Sequence, residues 1–221
     1  MSGLFETIRV KDGKVPFLER HIARLSASCR ALGRAEPAPG LAERVRHHHS
    51  ASTGDIVMRV TLDERGERID NRPVPEPGPM RIVFSGTHHQ PYPHKTTDRA
   101  VFDKARSRVV PYRADETVML TSDGVLAEGA VTNVFFWLGS VLCTPSLDIG
   151  ILPGIGRARV IEIARERKIE VREDHFSRAE LQGLPMFLVN SVRGVLETTV
   201  HGDWRRERDD RTLRLAEHFW G

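Results

Sequence analysis

The chain has 221 residues, of which 39% are hydrophobic and 29% are charged, a balance typical of a globular protein rather than a disordered one. Its length suffices for one large domain or two small ones with a buried core. No apolar run could span a bilayer and the N-terminus has no signal-peptide pattern, so we expect a cytoplasmic protein. The two cysteines, Cys29 and Cys143, form no CxxC pair, which argues against disulfide scaffolds and cysteine zinc sites.

The net charge is +3, from 33 basic and 30 acidic residues. The arginines are interleaved with acidic residues, as at 165–167 and 205–210, and mixed signs indicate a solvated surface rather than a phosphate-binding stripe. We therefore expect no nucleic-acid partner. The chain has only five lysines, which limits the candidates for any chemistry that needs a lysine amine.

The first half of the chain predicts strands and two helices. Residues 4–10 alternate in polarity and precede an Asp12-Gly13 turn and a second short strand that ends at Phe17. An apolar stripe at helical spacing predicts a helix that ends at Gly33, and its members are Leu18, Ile22, Leu25, Cys29 and Leu32. The other predicted elements are a helix over 41–48, strands over 54–62 and 80–85, an extended proline-rich segment between these strands, and a loop over 87–95.

The second half predicts a mixture of strands and helices. Helical patterning favours a helix over 97–110, Pro153 and Gly154 open another, and a capping box that starts at Ser177 opens a short one. Strands are predicted over 117–121, 131–138, 141–144, 169–172, 186–190 and 195–200, and a short helix closes the charged tail. Strands mixed with helices in both halves give an α/β or α+β protein, and the 87–95 loop suggests two domains, 1–90 and 91–221.

Three local features could carry chemistry. The glycine run at 150–156 precedes a helix, where backbone N–H groups and the helix dipole can bind a phosphate, although a routine helix start also explains it. Lys95 lies in a loop between His94 and a helix, where nearby cations favour the neutral amine that a Schiff base needs, although most loop lysines are solvated. Glu128 lies beside an apolar strand and, if buried, needs a cationic partner.

The histidines predict no metal site. Consecutive helical residues point about 100° apart, so residues 47–49 cannot chelate one ion together. His88, His89 and His94 lie in a loop with no cysteine or carboxylate at ligand spacing. We therefore expect no bound metal.

Seven segments resemble the motifs of the class IV pyridoxal-phosphate family, which includes branched-chain and D-amino-acid aminotransferases and aminodeoxychorismate lyase. They occur in family order from residue 5 to residue 194, and this order makes the match specific. The segments are FETIR (5–9), ERHIARLSAS (19–28), HKTTDR (94–99), AEGAVTN (127–133), TP (144–145), LPGIGR (152–157) and NSVRG (190–194).

Within this family the chain is most similar to the aminodeoxychorismate lyases, in the form fused behind a para-aminobenzoate synthase component. The phrases FETIRVKDGKV, HKTT-x-R and NS-x-RG carry this likeness. Branched-chain enzymes carry a tyrosine soon after the lysine, where this chain has Ala100 and Phe102. The chain departs from the family at Ala127 and Gly156, where the usual residue is threonine.

The resemblance implies an α/β, fold-type IV enzyme with two domains, pyridoxal 5′-phosphate in the cleft between them, and a homodimeric assembly. It implies that Lys95 forms the Schiff base and transfers protons, and that Glu128 holds the pyridine nitrogen protonated. It assigns the cofactor phosphate to Arg24, to the backbone N–H groups of Ile155 and Gly156, and to the hydroxyl of Ser191.

The resemblance also implies a β-elimination in folate biosynthesis, from 4-amino-4-deoxychorismate to 4-aminobenzoate and pyruvate. Thr7 matches the threonine that protonates the leaving enolpyruvate, Arg193 and Asn190 are candidates for contacts with the substrate, and a para-aminobenzoate synthase component is a candidate partner. The nearest competing function is that of a class IV aminotransferase acting on branched-chain or D-amino acids. Two more distant candidates are a cofactor-binding protein without turnover and an arginine-rich nucleic-acid binder.

Overall fold

A computed structural model describes residues 2–50, 54–76, 78–107, 109–201 and 209–221. The chain divides into two compact units. The first comprises Met1–Glu76 and His94–Asp98, and the second comprises Pro77–Pro93 and Arg99–Gly221. Within the described residues, no helix is both long and apolar enough to cross a membrane.

The first unit is a three-stranded antiparallel sheet with two helices. The sheet has the order β1-β2-β3, formed by Leu4–Val10, Ile56–Asp63 and Gly66–Arg72, and the helices are α1 (Leu18–Ala31) and α2 (Leu41–Ser50). Alternate residues of β1 join one core with the stripe of α1, because successive strand side chains point to opposite faces. This core includes Leu4, Ile8, Val10, Leu18, Leu25, Cys29, Val45, Met58 and Val60.

The second unit is built on an eight-stranded mixed sheet with the order β6-β5-β4-β11-β10-β7-β8-β9. Its strands are β4 (Met80–Phe84), β5 (Glu116–Leu120), β6 (Leu126–Gly129), β7 (Asn133–Leu138), β8 (Val141–Pro145), β9 (Val171–Asp174), β10 (Met186–Asn190) and β11 (Gly194–Val200). Its helices are α3 (Ala100–Ser107), α4 (Ile155–Glu166) and α5 (Asp210–Glu217). Strand β4 runs parallel to β5 and β11, and β8 runs parallel to β9.

The units differ from the predicted division into 1–90 and 91–221 at two places. Strand β4 pairs with β5 and β11, which places it in the larger sheet of the second unit. Residues 94–98 return to β1 of the first unit, where the Phe5 N–H donates to the Lys95 carbonyl at 2.9 Å. Backbone pairing between segments distant in sequence decides both assignments.

Most predicted elements are confirmed, with three corrections. The short strand predicted to end at Phe17 is wrong, because Lys11 and Lys14 form only an isolated bridge around the turn and Phe17 adopts a left-handed φ of 61°. The helix predicted over 97–110 begins only at Ala100 and ends at Ser107. Strands β3 and β6 were not predicted.

Candidate active site

Glu128 is buried in β6 with one of its two carboxylate oxygens already occupied. Oε1 accepts a hydrogen bond from the Leu152 N–H at 3.1 Å and lies 3.0 Å from His89 Nε2. No described residue donates a hydrogen bond to Oε2. Because a carboxylate away from bulk water needs donors, Oε2 is suited to accept an N–H from a bound ligand.

The N-terminus of α4 has the features of an anion site. Its N-cap residue, Gly154, provides no side-chain cap, and no acidic residue lies in the first turn. The first helical bond runs from the Ala158 N–H to the Gly154 carbonyl, so the N–H groups of Ile155 and Gly156 precede the helical hydrogen-bond ladder. Since these groups lie at the positive end of the helix dipole, they fit a phosphate.

The segment 152–156 connects Glu128 to this helix N-terminus. Leu152 donates its N–H to Glu128 and accepts the Asn133 Nδ2 at 3.1 Å through its carbonyl. A side chain at Gly154 would place its Cβ 1.8 Å from Asn133 Oδ1, so only glycine fits there. One short backbone segment therefore fixes both the carboxylate and the first turn of α4.

Gly156 lies directly against the end of β10. A Cβ at this position would lie 2.8 Å from the carbonyl carbon of Asn190 and 3.0 Å from Val189 Cγ2. In this packing a threonine side chain, which the family usually has here, does not fit. The close approach also brings the start of α4 next to the turn that contains Ser191, so the predicted phosphate ligands of the second unit lie together.

Asn190 holds the turn at 190–193 in place. Its Oδ1 accepts hydrogen bonds from the Val192 N–H at 3.0 Å and the Arg193 N–H at 2.8 Å, and its Nδ2 donates to the Val131 carbonyl at 3.3 Å. The Arg193 guanidinium donates to the Gly78 carbonyl at 3.3 Å. The Asn190 amide is therefore engaged by the backbone of its own unit, and the substrate contacts assigned to both residues stay predictions.

Arg24 is held by a buried carboxylate in the first unit. Its Nε and Nη2 donate to the two oxygens of Glu6 at 2.8 and 2.6 Å, and His21 Nδ1 lies 2.7 Å from Glu6 Oε2. Burial raises the pKa of Glu6, but the Arg24 charge and the hydrogen bonds from His21 and Arg24 outweigh burial and lower this pKa to about 2. Burial lowers the pKa of His21, which favours a neutral ring. The pair fixes Arg24 on the side of α1 that faces β1.

Lys95 lies against β1. Its Nζ is 4.8 Å from the centroid of the Phe5 ring, and the Arg59 guanidinium carbon is 3.7 Å from the same centroid. Thr7 is two residues from Phe5, so both project from one face of the sheet, and Thr7 pairs directly with Arg59 of β2. The first unit thus places the predicted catalytic residues Lys95 and Thr7 on one face, beside an arginine.

The remaining lysines have other surroundings. Lys11 pairs with Asp12 at 2.6 Å, and Lys14, Lys104 and Lys168 are exposed. Lys95 is half-buried and belongs to the segment that returns to β1. Among the described residues, no group of three or more histidine, cysteine, aspartate or glutamate side chains could hold a metal ion.

The second unit provides a helix N-terminus suited to phosphate and a carboxylate with one open oxygen, and the first unit provides a half-buried lysine. Each of these features is of a kind that pyridoxal-phosphate enzymes use. The chain belongs to the amino-transferase class IV family, whose family model matches residues 3–199. Members of this family depend on pyridoxal phosphate. The predicted family and the predicted fold-type IV architecture are both confirmed.

The names of the similar proteins describe different activities. The chain is 38% identical over 85 residues to the aminodeoxychorismate lyase of Bacillus subtilis, a match that covers 38% of this chain and only 29% of that protein. It is 24% identical over 249 residues to a D-alanine aminotransferase of Staphylococcus aureus, covering 99% of this chain and 87% of that one. The branched-chain aminotransferase structure from Thermoproteus uzoniensis aligns with a TM-score of 0.85 at 26% identity, over 99% and 84% of the two chains.

Three residues of the site were not indicated by the sequence patterns. Arg59 and Glu6 lie inside predicted strands, and His89 lies in a loop that predicts no metal site. A charge at Glu6, on the apolar face of β1, was an available signal, because a charge at such a position needs a buried partner. Nothing in the sequence pairs His89 with a residue 39 positions away.

We predict that Glu6→Gln lowers the free energy of unfolding of the cofactor-free protein by about 3 kcal/mol at neutral pH, because the Glu6 pKa falls from 4.5 to about 2 on folding. A lowered folded-state pKa stabilises the protein above the unfolded pKa, so the difference should shrink as the pH falls from about 4.5 towards 2. Urea unfolding at several pH values measures it. Glu36→Gln, in an exposed pair with Arg30, is the control, and an equal difference at every pH would contradict the assignment.

We predict that restoring the family's threonine with Gly156→Thr destabilises this chain by roughly 1–3 kcal/mol, the range for overpacking a tight contact. The new Cβ would overlap the backbone of Asn190. Thermal unfolding of the cofactor-free protein measures the effect. Ala158→Thr places the same residue at an exposed site of the same helix and serves as the matched control. Equal stability of the two variants would contradict the prediction, because β10 would then have moved to accept the side chain without any loss of stability.

Proposed function

We propose that the protein is a pyridoxal-phosphate-dependent lyase that converts 4-amino-4-deoxychorismate into 4-aminobenzoate and pyruvate. The observation that carries this proposal is the Thr7 hydroxyl on the same sheet face as Phe5, whose ring lies 4.8 Å from Lys95 Nζ. An elimination needs both a base and a proton donor to the leaving oxygen. The name of the Bacillus subtilis relative supports the same reaction.

The described residues fit the cofactor. Glu128 Oε2 would accept the N–H of the pyridine ring, and the N–H groups of Ile155 and Gly156 would bind the phosphate, together with Ser191 and the charge of Arg24. Lys95 would hold the cofactor through its amine. When bound, pyridoxal phosphate supplies an electron sink that makes the proton on the amine-bearing carbon of a substrate removable.

Different residues of this chain act at different steps of the reaction. Lys95, released by the substrate amine, takes the proton from the amine-bearing carbon. Thr7 donates a proton to the ether oxygen as the bond between the ring carbon and that oxygen breaks, and the freed enolpyruvate becomes pyruvate. Loss of this group makes the ring aromatic, which drives the elimination. Arg59, directly opposite Thr7, supplies positive charge for the carboxylates of the substrate.

A class IV aminotransferase acting on branched-chain or D-amino acids is the second candidate. The Staphylococcus aureus relative and the Thermoproteus uzoniensis structure favour it. Lys95 would abstract the same proton, but the amino group would then pass to a keto acid and Thr7 would have no leaving group to protonate. Pyruvate release without an added keto acid therefore separates the two candidates.

We propose a homodimer in the cytoplasm, and a para-aminobenzoate synthase component as the source of the aminated substrate. We propose no nucleic-acid partner. These statements derive from the resemblance to the family and from the mixed distribution of charge.

We predict that borohydride reduction of the cofactor-loaded protein fixes pyridoxal phosphate on the peptide that contains Lys95. Lys95→Ala should remove the covalent link, the visible absorbance of the bound cofactor and all pyruvate release, because the other lysines are exposed or, in the case of Lys11, paired with Asp12. Mass spectrometry locates the label. Lys104→Ala, at an exposed position of α3, is the control and should behave as wild type. Label on a different lysine would overturn the assignment.

We predict that Thr7→Val, which keeps the shape and removes the hydroxyl, slows pyruvate release from aminodeoxychorismate by about 10²–10⁴-fold, the usual contribution of a positioned general acid. Thr7→Ser should recover most of the rate. Any transamination of D-alanine or leucine should be much less affected, because it needs no proton at a leaving oxygen. Equal losses of both activities would show that Thr7 only shapes the site.

A further inference from the structure

His89 is held rigidly beside Glu128. Its backbone N–H donates at 2.7 Å to the carbonyl of Leu120, the last residue of β5. Its ring packs edge-on against Phe102 of α3, with 6.2 Å between centroids and 76° between planes. Its side chain is only 1% exposed, and its Nε2 lies 3.0 Å from Glu128 Oε1. Three contacts from three elements therefore fix the position of the ring.

The surroundings of the ring decide which nitrogen carries the proton. Nδ1 is buried and has no hydrogen-bond partner among the described residues. A proton on Nδ1 would be a buried, unsatisfied donor, which costs roughly 1–3 kcal/mol. The favoured tautomer carries its proton on Nε2, and this N–H donates to Glu128 Oε1. His89 therefore acts on the carboxylate as a hydrogen-bond donor.

The two donors to Glu128 converge on the same oxygen. The Leu152 N–H and His89 both bind Oε1, from the segment before α4 and the loop after β4. A carboxylate with both donors on one oxygen has a fixed rotation about its last side-chain bond. The other oxygen, Oε2, is thereby presented at a defined position. The Leu152 N–H alone leaves this rotation less constrained, because one hydrogen bond permits either oxygen to accept.

We propose that His89 is a positioning residue that orients the Glu128 carboxylate so that Oε2 receives the pyridine N–H of the cofactor. The inference rests on the proposed function, in which Glu128 is the partner of that nitrogen. His89 touches neither the substrate nor the cofactor in this role. It acts through Glu128, and its loss should misalign the carboxylate without removing its charge.

The test compares His89→Leu, which removes the donor, with His89→Gln, whose amide N–H can restore it. His88→Leu is the matched control, because His88 is the exposed neighbour and its Nδ1 lies only near the Thr121 carbonyl, at 3.2 Å. Each variant is measured for thermal unfolding without cofactor, for the dissociation constant of pyridoxal phosphate, and for the visible spectrum of the bound cofactor. Steady-state kinetics then separate kcat from KM.

We expect His89→Leu to weaken pyridoxal-phosphate binding and to lower kcat by roughly 10–100-fold, the range known for removing a group that orients a metal-binding side chain and taken here for a carboxylate that binds a cofactor. KM should change little, and the absorbance maximum of the bound cofactor should shift. His89→Gln should return each quantity most of the way to wild type, and His88→Leu should change none. Wild-type affinity, spectrum and kcat in His89→Leu would overturn the proposal.

Two further comparisons keep the test decisive. In a Glu128→Gln background, His89→Leu should add no further loss of cofactor affinity, because the residue acts through Glu128; an undiminished loss would contradict the proposal. If His89→Leu does not fold, His89→Asn replaces it, because the shorter asparagine amide cannot reach Glu128 Oε1. Equal affinities of His89→Asn and His89→Gln for pyridoxal phosphate would then contradict the proposal. Wild-type protein that binds no pyridoxal phosphate would instead refute the proposed function, and this inference with it.

Discussion

The backbone of Leu152 is the constraint on which the second unit's site depends. Its N–H binds Glu128 and its carbonyl binds Asn133, just before α4 begins at Ile155. These two bonds fix the distance between a carboxylate suited to a pyridine nitrogen and a helix N-terminus suited to a phosphate. A cofactor with a charged group at each end requires this kind of fixed spacing, since a mobile site would lose affinity to ordering entropy.

The first unit applies the same physical principle with charges instead of backbone groups. A buried carboxylate, Glu6, holds Arg24 by two hydrogen bonds, and His21 supplies a third donor. Removing Arg24 would leave the buried Glu6 carboxylate without its cation, and removing Glu6 would leave the Arg24 guanidinium without its carboxylate; either loss is far more costly than the net value of the pair. Arg24 is thus held in one orientation, so its charge is available at a fixed place on α1.

The fold was largely predictable where apolar side chains repeat with the period of a strand or of a helix. Strand β1 and helix α1 were predicted because apolar residues repeat at spacings of two and of three to four. Strand β3 lacks this signal, because Ile69 is its only apolar residue and the strand is held by backbone pairing with β2. The short strand β6 was hidden by its glycine and its buried glutamate, both unusual inside a strand.

Only the site residues that lie within family motifs could be predicted from the sequence. Lys95, Glu128 and the 154–156 turn follow from family order, and their assigned roles stay predictions. The partners of these residues did not follow, since contacts such as His89 with Glu128 join segments 39 positions apart. Such pairs are set by strand order, which a single sequence does not encode locally. At Gly156 the sequence shows a departure from the family, and only the structure shows that β10 passes too close for a side chain there.

The central claim is that Glu128 presents Oε2 to a pyridine nitrogen while the start of α4 binds the phosphate of the same cofactor. A crystal structure of the protein loaded with pyridoxal phosphate tests it most directly. We expect a pyridine nitrogen about 2.7–2.9 Å from Oε2, with Oε1 still bound to Leu152 and His89, and phosphate oxygens on the N–H groups of Ile155 and Gly156. A pyridine nitrogen that faces another residue, or a phosphate bound away from α4, would contradict it.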